Sequence, residues 1–389
     1  GSNVAMGYYA NQLLTTGNFN VSIGQQAGRT SVDGGGNVLV GYQAGYTNTS
    51  GSNNVAIGTT AGYSSTTSNC TYVGHEAGYT NATGANMTAV GFQALYSSTA
   101  NNNTAFGLYA GLSTTTGGAN TFLGLQSGNN NTTGASNVMV GMQAGYNNTT
   151  GSTNTYMGYA AGYGNGAGTG EGNTAIGFYS QKDKGTSGNY NTSLGFYALG
   201  SDQNAGFTGT GNTSGGYYSQ RFTSSGSYNT TFGYIAGERL TSGTNNTLIG
   251  AEAGTGSAPS GQLTSESNRV CLGNNSVSHL YCKVSTITTS DRRDKGKFEE
   301  IKLGLDFVDK LKPTAFEFKK DGLRDTEKTD GIKRYGFIAQ DILELEGDNP
   351  VIINNDRPEN LMYSQGNLIP ILVNAIQELK AEIEILKNK

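Results

Sequence analysis

Residues 54–62 read NVAIGTTAG and residues 246–254 read NTLIGAEAG. Both fit the motif N-x-[A/V/Y/F/L]-[I/V/L/M/F]-G-x-x-[A/S]-G, which recurs along most of the chain. Its central glycines are Gly7, Gly24, Gly41, Gly58, Gly74, Gly91, Gly107, Gly124, Gly141, Gly158, Gly177, Gly195, Gly216, Gly233, Gly250 and Gly273, spaced mostly by 16 or 17 residues and by 18–23 later. A period near 17 residues is too short for a propeller blade or a helical hairpin repeat. Glycine without a three-residue period excludes collagen. What remains is a β-solenoid or β-roll. Each unit supplies one short strand of β-branched or aromatic residues, a glycine able to take positive φ at a tight bend, and a Thr/Ser/Asn/Gly loop. With one coil per unit, the sixteen motifs predict a rod of roughly 75 Å at the usual strand spacing.

Each unit carries only two to four substantial hydrophobes, such as Val55 and Ile57 or Phe106 and Leu108, beside small Ala partners. These are the expected core. It is thin for a lone chain, and the expectation is a homotrimer that thickens it. Insertions enlarge the units around 163–172, 182–190, 199–211 and 254–268, and on a solenoid such additions project from one rim. Tyr163, Tyr190, Tyr217 and Tyr218 are candidate contacts to a host-surface receptor, a glycan by preference, because an aromatic ring stacks on a sugar face. Repeat-edge packing is the competing role for the same four rings.

Charge divides the chain. Of 24 Lys+Arg and 28 Asp+Glu, only 7 and 8 fall in residues 1–289, leaving 17 and 20 for residues 290–389. The first part therefore offers no electropositive surface for nucleic acid. No apolar run of membrane-spanning length occurs, so membrane insertion is not expected. Cys70, Cys271 and Cys282 lack paired spacing, and His75 and His279 share no ligand spacing, so neither a metal site nor a cofactor is expected. Buried small hydrophobes are the expected role of the cysteines. The acids before 290 are scattered, with Glu171 and Asp183 the nearest approach to a glycosidase pair.

From residue 290 the text changes to SDRRDKGKFEEIKLGLDFVDKLKPTAFEFKKDG, then RYGFIAQDI, then LMYSQGNLIPILVNAIQELKAEIEILKNK. Residues 301–312 predict a short helix stopped by Pro313, residues 314–318 a strand, and Gly336–Asp341 a turn from strand into helix. Leu372, Ile376, Leu379, Ile383 and Leu386 are spaced 4, 3, 4, 3 and predict the seam of a trimeric coiled coil, with Leu368, Ile369 and Ile371 docking the helix onto the domain body.

These blocks, S-D-x-R-x-K at 290–295, G-L-D-F-x-x-K-L-K-P, G-F-I-A-Q and Y-S-x-x-x-L-I-P-I-L, resemble in order the intramolecular chaperone auto-processing domain of phage tail fibres and tailspikes. The repeats resemble the head repeats of trimeric autotransporter adhesins, with a longer period that leaves the handedness of the coil open. The resemblance implies a chaperone that trimerises its client and then cuts itself away at Thr289–Ser290. It implies a Ser290/Lys295 dyad, with Asp291 in support: the serine attacks its own upstream carbonyl, or the dyad assists direct attack by water, while the lysine serves as base. Asp291 has an equal claim to capping the following turn. Asp294 departs from the family pattern, which is usually apolar there.

The expected architecture is thus mainly β: a trimeric β-solenoid over 1–275, a linker over 276–289, and a small α+β chaperone domain over 290–389 ending in a trimeric helix. The expected activity is one self-cleavage by a serine peptidase. The expected place is the virion, with the chaperone fragment released after assembly. A glycan-degrading tailspike, a bacterial trimeric surface adhesin and an ice-binding solenoid are the alternatives.

Overall fold

The structure is a computed structural model that describes residues 1–164, 166–182, 187–200, 206–281, 292–319, 327–355, 358 and 361–388. The chain divides into two compact units, Gly1–Asn274 and Asn275–Lys389.

The first unit is a parallel β-solenoid. Sixteen strands of three residues run from β1 (Val4–Met6) through β4 (Val55–Ile57), β5 (Thr71–Val73), β7 (Thr104–Phe106) and β10 (Thr155–Met157) to β16 (Val270–Leu272), and each pairs with its sequence neighbours in one sheet. The register is the repeat itself: Val38, Leu39 and Val40 lie beside Val55, Ala56 and Ile57.

The central glycines follow the strands with positive φ, +138° at Gly41, a conformation closed to ordinary side chains. They also stack on one another. A Cβ on Gly41 would lie 2.4 Å from the carbonyl oxygen of Gly58 in the next coil. The second glycine of the motif borders the interior, where a Cβ on Gly62 would meet the Tyr72 ring at 2.6 Å.

Strand alternation assigns the interior differently from the expectation. The middle residue of each strand points inward, so Ala56 and Ala105 are buried, while Ile57 is 40% and Phe106 55% exposed and Leu108 is exposed as well. The cause is the motif asparagine. It precedes thirteen of the sixteen strands, with Cys70, Met87 and Arg269 before the others, and points inward, which sends the first and third strand residues outward. The narrow interior holds the middle residue together with the alanine three positions after the glycine, such as Ala61 and Ala77.

Those asparagines form two ladders, from Asn3 to Asn54 and from Asn103 to Asn246. The Asn137 N–H donates to Asn120 Oδ1 at 2.9 Å, Asn137 Nδ2 donates to the Gly151 carbonyl at 2.9 Å, and Asn137 Oδ1 accepts from the Asn154 N–H at 2.9 Å. The same pattern continues from Asn229 to Asn246 and on to the Arg269 N–H. Each amide therefore satisfies buried backbone groups in neighbouring coils, which an apolar side chain leaves unpaired. Cys70 and Met87, both buried, stand between the two ladders; Cys70 and Cys271 are free, and Cys282 lies outside the described residues.

The interior changes character along the fibre. Leu39, Tyr72, Phe122, Met139 and Tyr156 fill one apolar cluster, and Leu240, Leu248 and Leu263 another. Between them the inward positions are Ser193, Ser214 and Thr231. These hydroxyls find partners inside the coil: Ser180 Oγ donates to Ser193 Oγ at 2.7 Å and Ser219 Oγ to Thr231 Oγ1 at 2.9 Å.

In the second unit α1 (Leu305–Val308) is followed by β17 (Thr314–Phe316) and β18 (Arg334–Gly336), an antiparallel pair, then α2 (Ala339–Glu346). A second pair, β19 (Ile353–Asn354) and β20 (Met362–Tyr363), leads into α3 (Gln365–Lys387). Helix α1 is shorter than the predicted 301–312. The Ile301 and Leu303 carbonyls accept from Asn374 Nδ2 of α3 at 3.3 and 2.9 Å instead of entering a helix, and Gly304 takes φ −144° and ψ −137°. The fold is mainly β overall, a parallel solenoid followed by small strand pairs and a C-terminal helix.

Candidate functional site

The second unit is organised around α3. Phe307, Ile342, Ile352, Ile353, Leu368 and Ile371 close a small apolar core, so one side of α3 is buried against α1, α2 and β19. Two carboxylates complete it. Glu378 of α3 accepts from the Leu305 N–H at 2.6 Å, at the start of α1. Glu346, at the end of α2, accepts from the N–H groups of Val351, Ile352 and Ile353 at 2.8, 2.7 and 3.0 Å and so shapes the approach to β19.

The seam runs along α3 beside the docked stripe. Leu372, Ile376, Leu379, Ile383 and Leu386 are all exposed, Ile376 by 66%. A helix with one apolar stripe docked and a second one open is ready to pair with other helices.

At the start of the chaperone-like segment, Arg292–Asp294 form one 3-10 turn and the Lys295 N–H donates to the Arg292 carbonyl at 3.3 Å. The Arg292 guanidinium sits 4.7 Å from the centre of the Phe298 ring. Lys295 is exposed. Thr289, Ser290 and Asp291, the expected scissile position and its nucleophile and supporting acid, lie outside the described residues.

The four tyrosines singled out from the sequence do not form one group. Tyr163 is half-buried and stacks on Tyr146 with centroids 5.2 Å apart. The Tyr217 ring lies between Phe196 at 5.3 Å and Tyr234 at 5.5 Å, within a column of parallel rings that begins at Tyr159 and Phe178. Both of its faces are covered by neighbours. Tyr218 is covered by the Arg221 guanidinium, 4.1 Å from its centroid. Tyr190 alone among the four stands clear of other rings, with 66% of its surface exposed.

Sequence reading missed the match to Tyr190. Tyr228 is 64% exposed and occupies the same place in its coil, five residues before the central glycine, and counting back from Gly195 and Gly233 would have found it. Of the acids weighed for glycan cleavage, Glu171 is exposed and Asp183 lies outside the described residues. Among the described residues, no group of three or more His, Cys, Asp or Glu side chains could hold a metal ion, and no helix is long and apolar enough to cross a membrane.

Residues 290–349 match the model of the family described as chaperone of endosialidase, a peptidase family. No curated protein and no solved structure matches the chain. A β-solenoid followed by a segment similar to the chaperone-of-endosialidase family is a combination that fits a tail fibre or tailspike. At the level of the family, the match further implies autoproteolytic peptidase activity in the C-terminal segment.

Proposed function

We propose that this chain is the receptor-binding shaft of a viral tail fibre or spike, assembled as a homotrimer by a C-terminal chaperone that then removes itself. The observation that carries the reading is the outer face of the sixteen-strand sheet. Its third strand position is exposed and apolar in coil after coil, including Met6, Ile57, Phe106, Leu123, Phe232 and Ile249. A column of this length exceeds the apolar patches that soluble monomers tolerate. Two further copies of the same chain, bringing the same periodic column, are the partners that fit it in register.

The exposed seam of α3 supports the same assembly. Long parallel stacking between chains has high contact order and open edges that aggregate while waiting for partners, so a C-terminal trimer that aligns the chains answers a specific folding problem. Its removal afterwards takes away the easy route back to monomers and leaves a kinetically trapped fibre.

The cut falls at Thr289–Ser290. Ser290 Oγ attacks the Thr289 carbonyl carbon, the Lys295 amine takes the hydroxyl proton, and that proton passes to the Ser290 nitrogen as the amide bond breaks. The product is an ester between Thr289 and Ser290 Oγ. Water then hydrolyses it, giving a Thr289 carboxylate and a chaperone fragment that begins at Ser290. Because Lys295 is exposed in the single chain, trimerisation is the step that encloses it.

Intact mass and denaturing gels of the wild type beside Ser290→Ala and Lys295→Ala, with native mass for the assembly, test this. The expected outcome is cleavage before Ser290 in the wild type and uncut trimers in both variants. An uncut wild-type monomer would overturn both the dyad and the trimeric shaft.

A further inference from the structure

From Phe19 to Asn268, the position five residues before each central glycine forms a column along one edge of the solenoid, each at a left-handed corner. For much of the fibre it is an exposed amide ladder: Asn53, Asn69, Asn86 and Asn102 join side chain to side chain at 3.2–3.4 Å. In the coils enlarged by insertions the column changes to Gly172, Tyr190, Gly211, Tyr228, alternating glycine with tyrosine.

The alternation is structural. A Cβ on Gly172 would lie 2.7 Å from Cδ1 and 3.0 Å from Cε1 of Tyr190, and a Cβ on Gly211 would lie 2.8 and 3.0 Å from the same atoms of Tyr228. Each ring thus turns its Cδ1–Cε1 edge onto the glycine of the preceding coil, where only a missing side chain leaves room. With that edge against the glycine, Tyr190 and Tyr228 remain 66% and 64% exposed. Among the described residues neither ring stacks on another, in contrast to Tyr163, Tyr217 and Tyr218.

Two coils separate the rings, about 10 Å at ordinary strand spacing, comparable to the repeat of two linked pyranose rings in an extended glycan. Polar side chains stand directly before each position: Glu171, Asn189, Thr210 and Ser227. Asn189 Oδ1 accepts from the Glu171 N–H at 2.8 Å and Ser227 Oγ from the Thr210 N–H at 3.1 Å, so this second column is held in place beside the rings.

We infer that Tyr190 and Tyr228 are paired stacking platforms for a neutral, extended glycan lying along the fibre, with every second sugar on a ring and hydroxyls bonded by the adjoining polar column. The exposed Glu171 carboxylate disfavours acidic sugars. The inference rests on the fibre reading above and names the receptor class and residues for it.

The test uses the full chain on an array printed with cellohexaose, chitohexaose and, as the acidic comparison, a hyaluronan hexasaccharide. Tyr190→Ala, Tyr228→Ala, Tyr190→Phe and Phe19→Ala are compared with the wild type, Phe19 being a solitary exposed ring of the same column. Binding to a neutral hexasaccharide is expected to fall at least about tenfold, or about 1.4 kcal/mol, in each Ala variant of the pair. It is expected to persist in Tyr190→Phe and Phe19→Ala.

No binding to either neutral probe, preference for the acidic one, or Ala variants that bind like the wild type would overturn the platform. Native mass and cleavage at Ser290, read on the same samples, report separately on the fibre reading. If an Ala variant breaks the assembly into monomers, the rings belong to the contact between copies and the glycan assignment fails.

Discussion

Replacing Asn137 by alanine removes one rung of the buried ladder, and its cost can be worked from the contacts. The side chain is fully buried. Its loss leaves the Asn154 N–H without its acceptor at 2.9 Å, while the Gly151 carbonyl loses one of two donors and keeps Asn148 Nδ2 at 2.9 Å. An orphaned buried group costs roughly 1–3 kcal/mol, so the variant should lose about 1–3 kcal/mol per chain, near the lower end where a water enters the space vacated. Asn53→Gly is the control, since that exposed amide makes a single contact to Asn69 at 3.4 Å, glycine tolerates its φ of +60°, and the change is expected to cost under about 0.5 kcal/mol. Denaturant unfolding of the shaft, with hydrogen exchange at the Asn154 amide, measures both. Equal effects of the two variants, or undiminished protection at Asn154, would refute the argument that the inner ladder carries the coil-to-coil register.

Gly41→Ala should be worse than any core truncation, because φ is +138° and the new Cβ would lie 2.4 Å from the Gly58 carbonyl. The expected result is a shaft opened to limited proteolysis around residues 41–58; a variant as resistant as the wild type would count against close glycine stacking. Burial pushes the Tyr72 and Tyr156 hydroxyls well above the ordinary tyrosine range. The unfolded chain therefore loses these protons first, so stability should be complete below about pH 10 and decline above it. Alkaline titration of shaft stability checks this, and the decline should shrink in Tyr72→Phe and Tyr156→Phe.

Much of this molecule is legible in local sequence. Glycine needs no partner to announce a positive φ, and a repeat of near-constant length announces one strand per coil, so the solenoid and its axial order follow from the motif alone. The blocks after residue 290 identify the chaperone-like segment for the same reason: they are short, ordered and specific.

Which side of each strand faces inward was decided only in three dimensions. Hydrophobicity favours Val55 and Ile57 as core, yet closing a narrow coil requires the asparagine before the strand to turn inward and satisfy buried backbone groups, and that reverses the parity of the strands it precedes. The four tyrosines illustrate the same limit. In sequence they are equivalent rings near insertions, whereas stacking between coils covers Tyr217 and leaves Tyr190 free beside Gly172. Period and turn are properties of a single chain segment; facing and access depend on what the neighbouring coils place alongside.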